Sequence, residues 1–461
     1  MTTLTNTATL DSINPATGEV VGSVPLTPVG AIPGIVAKAR AASKAWGAMT
    51  AKERADILRP AGQVLMDRSE ELGKLLSREQ GKPFADGIGE VQGCGYRLSD
   101  EVDEIAEAVR PQVLKGEGVE TTVYHDPYGV CAAITPWNFP ILMPHWMVLP
   151  ALVAGNAVVL KPSEETPLIA QAYADVLNEF LPEGVLQVVH GREQGPALVK
   201  ADVDLIAFTG SKATGQAIMR EAANGLKRVI LELGSKDPLL VLEGADLDKA
   251  AAFAARNSFR NCGQVCVSTE RIYVDRKLHK PFLEKLVEQA KSFTVGACDE
   301  DGAVIGPMIH GRQKAHVIGQ IKDAEAKGAN VVFGNETREG CFISPTVLDG
   351  VTHAMDIMTT ETFGPVACVM AVDSVDEAVE LANDTEYGLG AVVFGEESLA
   401  RDVARRMTAG MIGVNRGIGG APGTPWVGAR QSGIGYHGGP MGHRQFCQVR
   451  AVSVVAGGGD S

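Results

Sequence analysis

A chain of 461 residues exceeds what one compact core supports, so two or three domains are expected. Its 45% apolar and 21% charged residues are ordinary for a globular enzyme, and a net charge of −14 without a basic run argues against a sequence-independent grip on nucleic acid. No secretory signal opens the chain and no apolar run approaches the ~20 residues of a membrane span, which predicts a cytoplasmic protein without a membrane partner.

Residues 31 to 110 read as helices, with AKARAASKAW, ADILRPAGQVLMDRSEELGKLLSREQG and EVDEIAEAVR carrying apolar residues at helical spacing; Gly81 and Pro83 end the second. VETTVYHDPYGV then alternates, suggesting two strands around a turn at Asp126-Pro127. Strand-like runs VCAAIT, NAVVLK, VLQVVH, LIAFTG, RVILEL and PLLVLE follow, separated by helical ones, the pattern of a doubly wound parallel sheet. After residue 238 the alternation resumes, with helix 246–259, strand RIYV, helix HKPFLEKLVEQAKSF, strands NVVFG and ACVMAV, and helix VDEAVELAN. Residues 410 to 442 read as glycine-rich coil and AVSVVA as a closing strand, which with the early hairpin is a candidate for pairing between subunits. The first ten residues and the final AGGGDS read as frayed ends.

Five segments carry possible chemistry, and each has a plainer reading. Cys266, in FRNCGQVC, is either a buried structural thiol or a nucleophile on a tight polar turn between a helix and a strand. Glu232, in LELGSK, is either a strand-end carboxylate facing solvent or a group at the ligand-binding edge of a parallel sheet. In ITPWNFP, prolines flank Trp137 and Asn138. The segment is a buried turn or a device holding the Asn138 amide as a fixed donor for an oxyanion. Lys161 and Glu164 stand at another strand end in LKPSEETP, where a lone lysine is more often a solvated surface charge. Gly210-Ser211 leads from a strand into a helix, as a plain cap or as free N–H groups for a phosphate. The eight cysteines show no disulfide framework, and no second Cys/His pair at zinc-ligand spacing accompanies Cys262 and Cys266, so no metal is expected.

These five segments, joined by TFGPV after Glu361 and by NDTEYGLGAVVF, occur in the same order and spacing in the NAD(P)-dependent aldehyde dehydrogenase superfamily, which the chain resembles from about residue 12 to about 450. The resemblance implies two doubly wound α/β domains plus a small β oligomerisation arm. Residues 1–111 and 129–235 would form the dinucleotide-binding domain, 236–440 the catalytic domain, and 112–128 with 441–461 the arm of a homodimer or homotetramer. It implies Cys266 as the nucleophile on the aldehyde carbon and Asn138, with the Cys266 N–H, as holder of the oxyanion. After hydride transfer, Glu232 would activate the water that hydrolyses the thioester. Cofactor contacts would fall to Thr135, Pro136, Trp137, Lys161, Ser163, Glu164, Gly210, Ser211, Gly215, Leu233, Gly234, Glu361 and Phe363. Losing the Asn138 donor would cost ~10²–10³ in rate. Glu232 favours release of a free acid over transfer to coenzyme A. Glu164 favours NAD, with NADP possible, because a carboxylate that binds a 2′-hydroxyl repels a 2′-phosphate.

The chain departs from the family pattern at Ser235 (ELGSK for ELGGK), at Trp426, Val427 and Arg430 (PWVGARQSG for PFGGxKxSG), and at Tyr436-His437, where many relatives carry a helper glutamate. Met143 and Trp146 resemble tunnel-facing positions, and Trp146 stands where succinate-semialdehyde relatives carry an arginine. This favours a neutral or mostly apolar aldehyde. The alternatives are an NADP-preferring semialdehyde dehydrogenase and a non-catalytic relative of the same fold. Cys262 is either a small buried residue or a partner able to form a reversible disulfide with Cys266.

Overall fold

The computed structural model describes residues 8–456. Its core is a pair of mixed sheets, mainly parallel, each covered by helices on both faces. The six-stranded sheet runs Gly433–Ile434, Arg228–Glu232, Leu205–Thr209, Val130–Ile134, Ala157–Lys161, Leu186–Val188, all parallel except the first. The seven-stranded sheet runs Asn330–Phe333, Thr346–Asp349, Val366–Val372, Thr269–Asp275, Asp237–Val241, Gly390–Phe394, Met411–Val414, with only its first pair antiparallel.

The strand sequences explain this layering. In VCAAI every side chain is buried, and successive residues go to opposite faces. Cys131 and Ala133 pack under the Phe84–Ala108, Leu142–Val153 and Pro167–Asn178 helices. Val130, Ala132 and Ile134 pack under the Ile32–Ala48, Gln194–Lys200 and Lys212–Ala222 helices. Leu239 and Leu240 divide in the same way between the two cores of the second sheet. No helix among the described residues is long and apolar enough to cross a membrane.

Several expectations need correction. There is no turn at Asp126-Pro127: Val119–Pro127 is one strand of nine residues, and the hairpin turn lies before it, at Gly118, whose φ is +70°. Cys447–Val455 pairs with its whole length, and Pro127, which has no N–H to give, is tolerated at the strand's last position. Residues 410 to 442 are not coil throughout. They contain the edge strand Met411–Val414, the two-residue strands Trp426–Val427, Gly433–Ile434 and Tyr436–His437, and the helix Gly439–Arg444. Such short pairings leave no periodic signature. The long helical run after Ala51 is three helices, Ala51–Leu58, Ala61–Asp67 and Ser69–Gln80, divided near Pro60 and Arg68. Of the expected frayed ends, residues 1–7 and 457–461 lie outside the described residues, whereas Thr9 and Leu10 begin the strand Thr9–Ile13.

Candidate active site

Strands of the six-stranded sheet end, at their carboxyl side, on a crevice of about 630 Å³. Thr135, Pro136, Trp137, Lys161, Ser163, Glu164, Gly210 and Ser211 all line it. Ser211 caps the Lys212–Ala222 helix by accepting from Thr214 N at 3.3 Å, so this helix N-terminus opens on the crevice. Gly215 lies one turn in and is buried; a Cβ there would meet Leu233 Cδ2 at 2.4 Å. Glu164 is gripped from both sides, by Lys161 Nζ at 3.1 Å and Arg192 Nε at 2.9 Å. Burial opposes its ionisation, but Lys161 and the hydrogen bonds outweigh that and hold the carboxyl down to about 2.

Phe363 meets Trp137 edge-to-face, with ring centroids 5.6 Å apart. The Glu270 carboxylate fixes the turn before it, accepting from Thr362 N and Phe363 N at 2.8 Å each and pairing with Lys236 Nζ at 2.5 Å. Glu361 Oε1 accepts from Ser235 N at 2.8 Å, and a Cβ at Gly234 would stand 2.5 Å from Glu361 Oε2. Position 234 therefore has to be glycine while Glu361 reaches this spot. Ser235, the departure from the family pattern, donates its hydroxyl to Asp237, which also accepts from Gly390 N at 2.9 Å.

A second cavity, about 210 Å³, contains Cys266, Glu232 and Leu233. Thr209, at the end of its strand, lines both spaces. The walls are Phe139, Leu142, Met143, Trp146, Met147, Val265, Val267 and Trp426, with Arg260 and His437 as further polar members. Trp146 and Trp426 pack edge-to-face at 5.6 Å.

Cys266 follows a turn in which Asn261, Cys262 and Gly263 all take left-handed φ of 51°, 57° and 70°. A Cβ at Gly263 would overlap the Gly364 carbonyl, at 2.0 Å. Two non-glycine residues in this region are costly, and a buried polar network holds them there. Asn261 Nδ2 donates to Asn138 O (3.1 Å) and Gln264 O (3.2 Å), and Asn138 Nδ2 donates to Gln264 O (3.0 Å). Gln264 Oε1 accepts from Ile309 N at 2.8 Å. Asn138 thus has one amide hydrogen committed to the cysteine turn and one uncommitted. It is buried beside the turn and does not itself line the cavity.

Sequence reasoning missed what braces this arrangement. Lys82 Nζ donates to Asn138 O at 3.0 Å, lies 4.4 Å from the Phe139 ring centroid, and pairs with Glu90 at 2.7 Å, both side chains buried. Glu90 Oε1 accepts from Ile141 N and Leu142 N at 3.1 Å each, at the start of the next helix. Gln80 Nε2 donates to Asn261 Oδ1 at 3.1 Å. In sequence, Gln80-Gly81-Lys82-Pro83 signalled only a helix end, which Gly81 with φ +99° does provide.

Burial raises both the thiol and the carboxylate of this cavity. Burial, with Glu232 and Asp237 adding to it, pushes the Cys266 thiol up to about 12, while Arg260 pulls the other way. Burial lifts Glu232 to about 8, opposed by the Trp426 indole, whose Nε1 donates to Glu232 Oε2 at 3.0 Å. His437 is pushed down to about 4 by burial and stays neutral. Cys262 does not share this space. It is fully buried in the core of the second sheet, 3.5 Å from Met308 Sδ, which supports the packing role over a disulfide with Cys266.

A crevice at the carboxyl ends of a doubly wound sheet, joined to a thiol-bearing cavity, marks an α/β enzyme that uses a nucleotide. Known proteins narrow the class. The model of the Aldehyde dehydrogenase family matches residues 3–452. A betaine aldehyde dehydrogenase of Amaranthus hypochondriacus is 35% identical, over 96% of this chain and 92% of that protein. A glutarate-semialdehyde dehydrogenase of Pseudomonas putida is 36% identical, over 97% and 95%. An NADP-dependent enzyme of E. coli superposes with a TM-score of 0.94 at 35% identity, covering 98% and 95%. An aldehyde dehydrogenase of Bacillus cereus in complex with NAD+ gives 0.93 at 33%, covering 97% and 94%. The chain belongs to the aldehyde dehydrogenase family, oxidoreductases dependent on NAD or NADP.

Proposed function

We propose that this protein oxidises an aldehyde to the carboxylic acid through a covalent intermediate on Cys266. The observation that carries the reading is that Cys266 and Glu232 line one small cavity that meets the nucleotide crevice at Thr209. The Cys266 thiol attacks the carbonyl carbon as its thiolate, its proton passing to water. Asn138, through its uncommitted N–H, and the Cys266 backbone N–H steady the oxyanion of the thiohemiacetal. The crevice suits a dinucleotide: the capped helix end takes phosphate, Lys161 and Glu164 the adenosine ribose, Glu361 and Phe363 the nicotinamide ribose and ring. A nicotinamide held there would supply the hydride acceptor that converts the Cys266 thiohemiacetal to a thioester. Glu232 then takes a proton from the hydrolytic water, and the acid leaves as the thiol is restored.

Aromatic and aliphatic walls suit an aldehyde with a neutral or mostly apolar body. A second reading, an ω-semialdehyde bearing a carboxylate, is favoured by Arg260, the one arginine or lysine on the cavity wall among the described residues. A panel of alkyl, aromatic, amino and carboxylated aldehydes with each cofactor separates these readings. A strong preference for a dicarboxylic semialdehyde, lost in Arg260→Met, replaces the first by the second. Turnover persisting in Cys266→Ala sinks both.

We further propose a homodimer or homotetramer. The three-stranded sheet of Gln112–Gly116, Val119–Pro127 and Cys447–Val455 exposes Val113, Leu114, Val449 and Val454. Eight free cysteines suit the reducing cytoplasm.

A further inference from the structure

Read from sequence, Glu164 favours NAD, with NADP possible, because its carboxylate repels a phosphate on the adenosine ribose. Its surroundings reverse that expectation. Each carboxylate oxygen is already matched by a cation, Oε2 by Lys161 and Oε1 by Arg192. The charged residues lining the crevice are Lys161, Arg192 and Lys200 against Glu164 and Glu221, an excess of one positive charge. Glu165 and Glu193 also lie near Arg192, but neither lines the crevice; Glu165 is 3.8 Å from Arg312, and Glu193 is exposed.

Arg192 is placed by a fixed loop. Gly191 takes φ +129°, where a Cβ would collide with Gln194 Oε1 at 2.1 Å. Gln194 Nε2 in turn donates to Thr27 O at 2.5 Å, and His190 N donates to Thr27 Oγ1 at 3.0 Å. The side chain reaches Glu164 through Nε alone, leaving both terminal nitrogens uncommitted among the described residues; it is 60% exposed. A planar guanidinium anchored at Nε, with its two terminal groups free, matches a phosphate that carries close to two negative charges.

We propose that the crevice accepts NADP+, with Arg192 as the specificity-determining residue that clamps the 2′-phosphate. This rests on the reading that the adenosine ribose lies at Lys161 and Glu164. Glu164 then serves as the tether that aims Arg192.

The test is titration calorimetry of AMP and 2′,5′-ADP, which differ only in the 2′-phosphate, against the native protein and Arg192→Ala, alongside kcat/KM for NAD+ and NADP+ with one aldehyde. The native protein is expected to bind 2′,5′-ADP at least as tightly as AMP. Arg192→Ala is expected to shift the ratio of the two affinities, and the NADP+/NAD+ ratio of kcat/KM, by roughly 10- to 100-fold toward the ligand without the 2′-phosphate, the loss of a charge-assisted contact. A native protein that rejects 2′,5′-ADP while binding AMP overturns the proposal, as does a ratio that Arg192→Ala leaves unmoved. Failure to bind AMP at all overturns the ribose assignment itself and the proposal with it.

Discussion

Replacing Trp426 by Phe removes one hydrogen-bond donor and keeps an aromatic ring on the cavity wall. The donor matters because Glu232 is buried and already lifted to about 8, with the Trp426 N–H, 3.0 Å from Oε2, favouring its ionised form. A hydrogen bond to a charged group contributes about 1.5–3 kcal/mol, and 1.36 kcal/mol corresponds to one pKa unit. Trp426→Phe should therefore raise the Glu232 pKa by a further ~1–2 units. The sign follows directly: the base must be ionised, so at pH 7 hydrolysis of the acyl-enzyme slows roughly 10- to 100-fold and recovers as pH rises. Rapid mixing with saturating aldehyde and cofactor separates the burst of reduced cofactor, which reports acylation, from the steady rate, which reports hydrolysis. The alkaline-rising limb of the steady rate should move up while the burst amplitude grows. A limb that stays in place, or moves down, refutes the assignment of Trp426 as a positioning residue for Glu232.

Glu232→Gln should keep a burst while the steady rate falls by orders of magnitude, read in the same experiment; a lost burst would show that Glu232 also takes the thiol proton. Lys82→Met leaves Glu90 buried without its partner and the Asn138 carbonyl without a donor, a loss of about 3–5 kcal/mol of stability by chemical denaturation. Protein that still folds should show a slower burst, because Asn138 is no longer braced. In stability, burial raises Glu79 and Glu361 to about 7 and Glu232 and Asp237 to about 8. These groups hold protons in the folded state that the unfolded chain releases near pH 4, so stability falls as pH rises through that interval. The histidines His190, His437 and His443, pushed down to about 4, oppose this only below about pH 6.5. Calorimetry of the unliganded protein should show Tm declining from pH 6.5 to 8, with a shallower decline in Asp237→Asn.

Much of this protein is determined locally and is legible from the chain alone. Strand runs such as VCAAI and NAVVLK contain enough consecutive apolar residues to be buried on both faces, which by itself dictates a covered parallel sheet. Cys266, Glu232 and the crevice residues sit at strand ends and turns, where motif order survives in sequence. What the tertiary structure decided are the contacts between segments far apart in the chain. Lys82 reaches Asn138 across 56 positions and Trp426 reaches Glu232 across 194. Arg192, on a loop with no motif of its own, neutralises Glu164 and changes what that carboxylate means for the cofactor. The strand Cys447–Val455 likewise turned an expected Asp-Pro turn into continuous strand. The physical reason is common to all four. A charge, a donor or an edge strand acquires its effect from the group it meets, and folding brings those groups together over separations that residue patterns do not record.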